Sequence, residues 1–270
     1  MPGARPLDRL DGRRAFGADA DNYDAARPEY PARVFEILRD RCGLGAGTRA
    51  FEIGPGTGLA TRQLLAAGVL SLTAIEPDAR LAAVLRRRSP DPRLTIRTLP
   101  FEEADLPAGG FDLGCSATAF HWLDQRPALD KVATLLRPGG SWAMWWNVFG
   151  DPERPDPFHE ATHELLSGLS RTPSEPQSWR HPFALDREAR VADLEAGGAF
   201  DDIVCEVIRW TLVLDPLGVR ALYATYSQFS VVEEAERTRL LDALQDIAAT
   251  RFAGRVERNM CTPVYTARRR

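Results

Sequence analysis

The segment that most restricts this chain is Phe51-Glu52-Ile53-Gly54-Pro55-Gly56-Thr57-Gly58, in which three glycines alternate with other residues directly behind an apolar run. Residues 49–53 read as a short buried strand and 61–67 as a helix, so the glycines fall on a strand-to-helix turn. Without a Cβ the backbone there can bend sharply and come close to a ligand, and a helix start offers free N–H groups. A plain turn would satisfy the same pattern, so spacing has to decide. A dinucleotide fingerprint, G-x-G-x-x-G, counted from Gly54 needs a third glycine at position 59, which is Leu59, and this disfavours an NAD-dependent enzyme. A phosphate loop would end in Gly-Lys-Ser/Thr, which is absent. What remains is acid-x-Gly-x-Gly-x-Gly with Glu52 as the acid.

Alternation of strand and helix continues on either side. Val34, Phe35, Ile37 and Leu38 mark a helical face after Pro31; strands are expected over 71–76, 94–98, 111–116 and 141–147. Between them Asp78 caps a helix carrying Leu81, Val84 and Leu85, a further helix covers 127–136, and Arg137-Pro-Gly-Gly140 makes a tight turn. This is the pattern of a parallel sheet with crossover helices. Glu76 ends the second strand, where a carboxylate can accept from both hydroxyls of a ribose; an exposed strand-end acid is the alternative. After Phe149 the pattern changes. Six prolines lie between 151 and 182, around a helix over 159–169, and are followed by a helix over 186–196 and a strand over 203–214. Helices over 216–229 and 232–252 and a strand over 260–267 close the chain, as an antiparallel terminal pair with helices inserted between its members. The expected organisation is a cofactor-binding core in 1–150, a proline-rich cap insertion and helix in 151–200, and terminal strands with an inserted helical cap in 201–270.

Composition removes several partners. The 270 residues are 44% hydrophobic and 27% charged, with 34 basic and 38 acidic side chains and a formal net charge of −4. No global pull toward nucleic acid or anionic lipid follows from that balance. Arg86-Arg87-Arg88 and Arg268-Arg269-Arg270 read as a solvated helix end and a terminal tail. Cys42, Cys115, Cys205 and Cys261 lie far apart without metal-site spacing, and Asp201-Asp202 reads as a turn, so neither a metal nor a disulfide framework is expected and the thiols suit a cytoplasmic setting. No apolar stretch approaches the ~20 residues that span a bilayer, so no membrane association is expected.

Taken in order, several segments resemble the class I S-adenosylmethionine-dependent methyltransferases, in particular the small-molecule subgroup known as methyltransferase type 11. They are Phe16-Gly17 with Tyr23 and Arg27-Pro-Glu-Tyr-Pro31, Glu52-x-Gly-x-Gly-x-Gly58, Ile75-Glu-Pro-Asp78, Phe111-Asp-Leu113, Phe120-His-Trp-Leu-Asp124, and Leu136-Arg-Pro-Gly-Gly140 before Trp146-Asn147. The likeness is strong from residue 16 to about 147 and looser beyond. It implies a Rossmann-like α/β fold, with a seven-stranded, mostly parallel sheet, a terminal antiparallel strand and a helical cap. It also implies S-adenosylmethionine as cofactor. Glu52, Gly54, Gly56 and Gly58 would lie against its methionine and ribose, Glu76 would hold the ribose diol, and Phe101 and Glu102 would sit beside the adenine. Tyr23 and Arg27 would close over the site and reach the methionine carboxylate, and Ser116 to Ala119 would line the reacting end. Pro55 departs from the family by removing one loop N–H.

Methyl transfer from a sulfonium needs a positioned nucleophile, exclusion of water and, for a hydroxyl or amine, removal of a proton. His121 is the candidate base, the alternatives being a lining residue or a buried core histidine. Phe16, Trp122, Trp146 and Tyr226 are the candidate acceptor contacts, with Trp145, Ser230, Trp179 and His181 as further lining groups; Trp and Tyr are also common core fillers. The expected activity is methyl transfer to a small-molecule acceptor, of a kind found in secondary metabolism, with room for a homodimer. The alternatives are a non-catalytic cofactor-binding or regulatory protein and a non-methylating enzyme on the same fold.

Overall fold

A computed structural model of the chain describes residues 20–169 and 182–270. Phe16, Trp179 and His181 lie outside the described residues. The chain forms two compact units, one comprising Glu29–Asn147, 182–208 and Thr262–Arg270, the other 20–28, 148–169 and 209–261. We refer to them as the sheet unit and the helical unit.

In the sheet unit, β1 (Arg49–Ile53), β2 (Ser71–Ile75), β3 (Leu94–Arg97), β4 (Phe111–Ala117) and β5 (Leu136–Trp145) run parallel in the order β3-β2-β1-β4-β5. Two further strands, β6 (Val148–Phe149) and β7 (Phe200–Leu214), pair with β8 (Val256–Arg269), which runs antiparallel beside β5 from Ser141 opposite Arg268 to Trp145 opposite Val264. The mostly parallel Rossmann-like sheet is therefore present. It has eight strands rather than seven because the two-residue β6 adds to the pairing of β8.

Crossover segments explain the burial. Helix α1 (Ala20–Ala26) belongs to the helical unit; α2 (Ala32–Cys42) packs Val34, Phe35, Ile37 and Leu38 inward and stops at Gly43 in the left-handed region. Helix α3 (Leu59–Ala66) follows the glycine loop, and α4 (Ala79–Arg88) is capped by Asp78, whose carboxylate accepts the Arg80 N–H at 2.8 Å. Helix α5 (Gln125–Leu135) returns the chain to β5. Val34, Leu38, Leu64, Leu72, Leu113, Trp145 and Val264 share one fully buried core, which fixes the strand ends that carry the site.

The helical unit has its own core. Helices α6 (Pro157–Leu166), α8 (Pro216–Ala224), α9 (Ser227–Ser230) and α10 (Glu234–Arg251) pack around Phe158, Val219, Tyr223, Phe229, Leu240 and Leu244, while α7 (Arg187–Glu195) belongs to the sheet unit. A buried ion pair crosses this unit: Arg258 Nε donates to Asp156 at 2.8 Å and its Nη1 donates to the Tyr223 hydroxyl at 2.6 Å.

Three local expectations change. The helix over 216–229 is two helices, because Tyr226 is extended (φ −78°, ψ 134°), the Thr225 hydroxyl donates to Leu222 O, and Arg27 donates to the Thr225 hydroxyl at 2.8 Å and to its carbonyl at 3.1 Å. The turn at Arg137-Pro-Gly-Gly140 lies within β5 as an irregularity of its pairing with β4; a Cβ on Gly140 would stand 2.9 Å from the Arg137 carbonyl. Asp201-Asp202 is not a free turn but part of β7, with Asp202 at φ 47° and its carbonyl accepting from Arg41. All four cysteines are free thiols, with Cys42, Cys115 and Cys261 buried.

Candidate active site

The glycine loop is built by three residues with different reasons to be glycine. All have positive φ, 66° at Gly54, 59° at Gly56 and 96° at Gly58. A Cβ on Gly54 would fall 2.5 Å from Cβ of Ala119, and one on Gly58 would fall 2.4 Å from Cδ1 of Leu85. Both positions are closed by neighbouring elements. A Cβ on Gly56 would meet nothing within 4 Å, so this is where the loop leaves room for a ligand. The Gly54 N–H donates to the Ile75 carbonyl at 3.0 Å and the Gly58 N–H to the Pro55 carbonyl at 2.9 Å, which anchors the loop at both ends.

Two carboxylates frame it. Glu76, buried just past β2, accepts the Gly56 N–H on one oxygen and the Asp78 N–H on the other, each at 2.9 Å. Glu52 is fully buried on β1, opposite Ala74 and Cys115 on the flanking strands. One of its oxygens accepts the Thr61 hydroxyl at 2.6 Å; the other, Oε1, has no hydrogen-bond partner. Burial pushes the Glu52 carboxyl up to about 7, with the Thr61 hydroxyl opposing the shift and the nearby Glu76 charge adding to it. An open glycine, a strand-end carboxylate already oriented by backbone N–H groups and an orphaned buried oxygen suit a polar ligand carrying a ribose and a cationic group.

Other residues expected at the site divide by what holds them. Phe101 is buried, stacked on Phe51 with ring centroids 6.3 Å apart, while Glu102 is exposed and its carbonyl accepts from Lys131 at 3.0 Å. The Ser116 hydroxyl donates to Ile53 O at 3.0 Å, tying β4 to the end of β1 beside the loop. His121 lies on a single turn, Phe120–Trp122, where its Nδ1 accepts the indole N–H of Trp146 at 3.0 Å. An indole N–H only donates, so the neutral ring carries its proton on Nε2. Trp122, Trp145 and Trp146 are all buried. The ring of Phe183 lies 5.9 Å from that of His121 and 5.7 Å from that of Trp146.

Tyr23, Arg27 and Tyr226 belong to the helical unit. There the Arg27 guanidinium lies over the Tyr23 and Tyr226 rings, 5.1 Å from each centroid, and 5.8 Å from that of Phe149. Tyr226 has a buried hydroxyl without a hydrogen-bond partner. Ser230 is exposed at the end of α9.

Two local features go beyond what the sequence singled out: the backbone of Thr118, within the segment expected at the reacting end, and a histidine pair on α6. Thr118, just past β4, is a β-branched residue at φ 54°. His159 and His163 sit one helical turn apart on α6 in a His-Glu-x-x-His order, with ring centroids 5.8 Å apart. That order is a zinc signature when a third ligand completes it. Among the described residues no group of three or more metal-ligating side chains comes together.

Comparison with known proteins agrees with this geometry. A methyltransferase-domain family model matches residues 51–144, from β1 through most of β5. The chain is 27% identical over 258 residues to an uncharacterized methyltransferase of Mycobacterium tuberculosis, covering 96% of this chain and 95% of that one. It is 23% identical over 261 residues to an uncharacterized methyltransferase of Schizosaccharomyces pombe, covering 94% and 96%. Among solved structures, a phosphoethanolamine N-methyltransferase of Haemonchus contortus, in complex with phosphomonomethylethanolamine and S-adenosylhomocysteine, shares the fold. Its TM-score is 0.57 at 15% identity, over 97% of this chain and 59% of that one.

Proposed function

Because the chain is a class I S-adenosylmethionine-dependent methyltransferase, we propose that it methylates a small-molecule acceptor, in a secondary-metabolic setting. The observation that carries the cofactor half of this reading is the pairing of an open Gly56 with a Glu76 carboxylate held by two backbone N–H groups. Glu76 would turn its remaining lone pairs to the ribose hydroxyls, and the backbone of Gly54 to Gly58, with Glu52 behind it, would flank the methionine end. Phe101 supports the segment beside the adenine from within the core, and Glu102 is the exposed member of that segment. Tyr23 and Arg27 are the proposed contacts to the methionine carboxylate. When bound, S-adenosylmethionine supplies a methyl group already activated by the sulfonium charge.

What the protein adds is orientation and exclusion of water. Ser116 and the residues after it bring the end of β4 to the loop, and Phe16, Trp122, Trp146 and Tyr226 are the proposed acceptor contacts. His121 holds its only lone pair toward Trp146, so in this arrangement it serves as a donor through Nε2; acting as a base would require release of the Trp146 bond. The net charge of −4 supports a small acceptor over nucleic acid, and no described helix is long and apolar enough to cross a membrane. Four free thiols support a cytoplasmic setting, and a homodimer is part of the same reading.

Calorimetry with S-adenosylhomocysteine tests the cofactor site: the folded wild type binds, and Gly56→Arg does not. Mass spectrometry of a metabolite extract incubated with and without S-adenosylmethionine then reveals the methylated product. Binding without any product across broad extracts would favour a non-catalytic or regulatory protein, or a non-methylating enzyme on this fold.

A further inference from the structure

The carboxyl ends of parallel strands are where α/β sheets receive ligands. At the ends of β4 and β5 the sheet unit carries a hydrogen-bonded set used by neither the glycine loop nor its two acids. Its centre is Thr118. The Thr118 N–H donates to the Trp145 carbonyl at 2.7 Å, its hydroxyl lies 2.9 Å from the Tyr30 hydroxyl, and the same oxygen accepts the Asn147 N–H at 3.4 Å. Asn147 is fixed in turn, accepting from the Thr262 hydroxyl at 2.8 Å and donating to the Glu29 carbonyl at 3.3 Å. Tyr30 is buried with its ring edge-on to Trp145.

Thr118 makes these bonds from φ 54°, a region that a β-branched residue adopts only when its surroundings impose it. Glycine or asparagine would occupy the same backbone with less strain. The hydroxyl is what either would lose, and the hydroxyl is what joins Tyr30 to Asn147. The kink also sets the following residues: Ala119 abuts Gly54, and the turn with His121 begins at Phe120. A strained residue thus ties the segment just ahead of α2, the ends of β4 and β5, and β8 together, next to the Ala119 that abuts Gly54.

We propose that Tyr30 presents its hydroxyl to the methyl acceptor and that Thr118 is the positioning residue that fixes that hydroxyl. This rests on the methyl-transfer reading above. Its hydroxyl and amide groups would align an oxygen or nitrogen of the acceptor by hydrogen bonding, without adding to cofactor affinity.

The test uses full-length protein, methyl-labelled S-adenosylmethionine and a deproteinised metabolite extract at several dilutions, with S-adenosylhomocysteine affinity measured in parallel. Thr118→Gly, which keeps the backbone and deletes the hydroxyl, and Tyr30→Phe should each lower the limiting rate by about tenfold or more, with S-adenosylhomocysteine affinity within about twofold of wild type. Thr118→Ser should restore most of the rate, and the double variant should be no slower than the worse single one, because the two residues act as a unit. Thr118→Gly at the wild-type rate, multiplicative losses in the double variant, or cofactor affinity falling in step with rate would each overturn the proposal. If the wild type itself labels nothing while still binding S-adenosylhomocysteine, the methyl-transfer reading falls and takes this proposal with it.

Discussion

Two buried charged sites, one in each unit, are satisfied in opposite ways. In the helical unit the guanidinium of Arg258 is completed by Asp156 and by the Tyr223 hydroxyl, so this buried ion pair is satisfied by the fold. In the sheet unit the Glu52 carboxylate is equally deep but has one oxygen satisfied and one bare. Buried polar groups in finished structural networks are paired, and the exceptions call for an explanation such as a ligand. The contrast separates a polar network that holds a core together from one that stands ready for something else. Unpaired atoms alone are not diagnostic: the Trp142 and Trp145 indole N–H groups are also buried without partners, but they are neutral and lie in aromatic packing.

The largest effect should come from breaking the complete network. Asp156→Ala leaves Arg258 charged in a nearly closed environment and is expected to cost about 3–5 kcal/mol, read by urea unfolding, whereas joint replacement of Asp156 and Arg258 by leucine and methionine should cost far less. If the single variant is as stable as wild type, the buried pair is not structural and the contrast fails.

Glu52 should show the opposite signature. Its folded pKa of about 7 lies above the ordinary 4.5, so the native state binds more protons than the unfolded chain between those values. Stability should therefore fall as pH rises through that window, by on the order of 3 kcal/mol in all. Glu52→Gln should remove that slope and be the more stable protein at pH 8; a wild-type stability curve that is flat from pH 4.5 to 7 would count against an unpaired carboxylate.

Within the loop itself, Gly58→Ala forces a Cβ against Leu85 and should cost about 1–3 kcal/mol. Gly56→Ala, facing open space, bears only its φ of 59° and should cost about 1 kcal/mol while weakening S-adenosylhomocysteine binding more than Gly58→Ala does at matched stability. The smallest effect is expected at Trp146→Phe, which removes one donor to His121 at about 1 kcal/mol and frees Nδ1. If His121 serves as a base through Nδ1, this variant should change the rate in single-turnover assays; an unchanged rate supports its role as a donor.

These comparisons also mark what could be read along the chain. The strand, glycine loop and strand-end acid were legible because their signals are local: apolar runs, turn glycines and Glu76 all lie within 28 residues. Arg258 and Asp156 are 102 positions apart, and no periodicity links them. The break between α8 and α9 has no glycine or proline to announce it; it is fixed by Arg27, 198 residues earlier in sequence, holding both polar oxygens of Thr225. The left-handed backbone of Thr118, though not its place at the reacting end, was hidden for the reverse reason, since threonine is a poor guide to such a conformation. The acceptor set is long-range in the same way: Tyr30 meets Thr118 across 88 positions.

The buried thiols give this protein built-in clocks. Burial raises the Cys115 thiol well above its ordinary range and lifts Cys42 and Cys261 to about 11, so in the native state almost none of the reactive thiolate forms and the sulfur atoms are shielded. A thiol reagent can then react at these positions only during excursions that part the surrounding strands and helices. Cys115 faces Glu52 across β1 and β4, whereas Cys261 sits in the helical unit opposite Val148. Their separate labelling rates would time how often each half of the molecule breathes, and whether filling the site beside Glu52 slows one clock while the other keeps its pace.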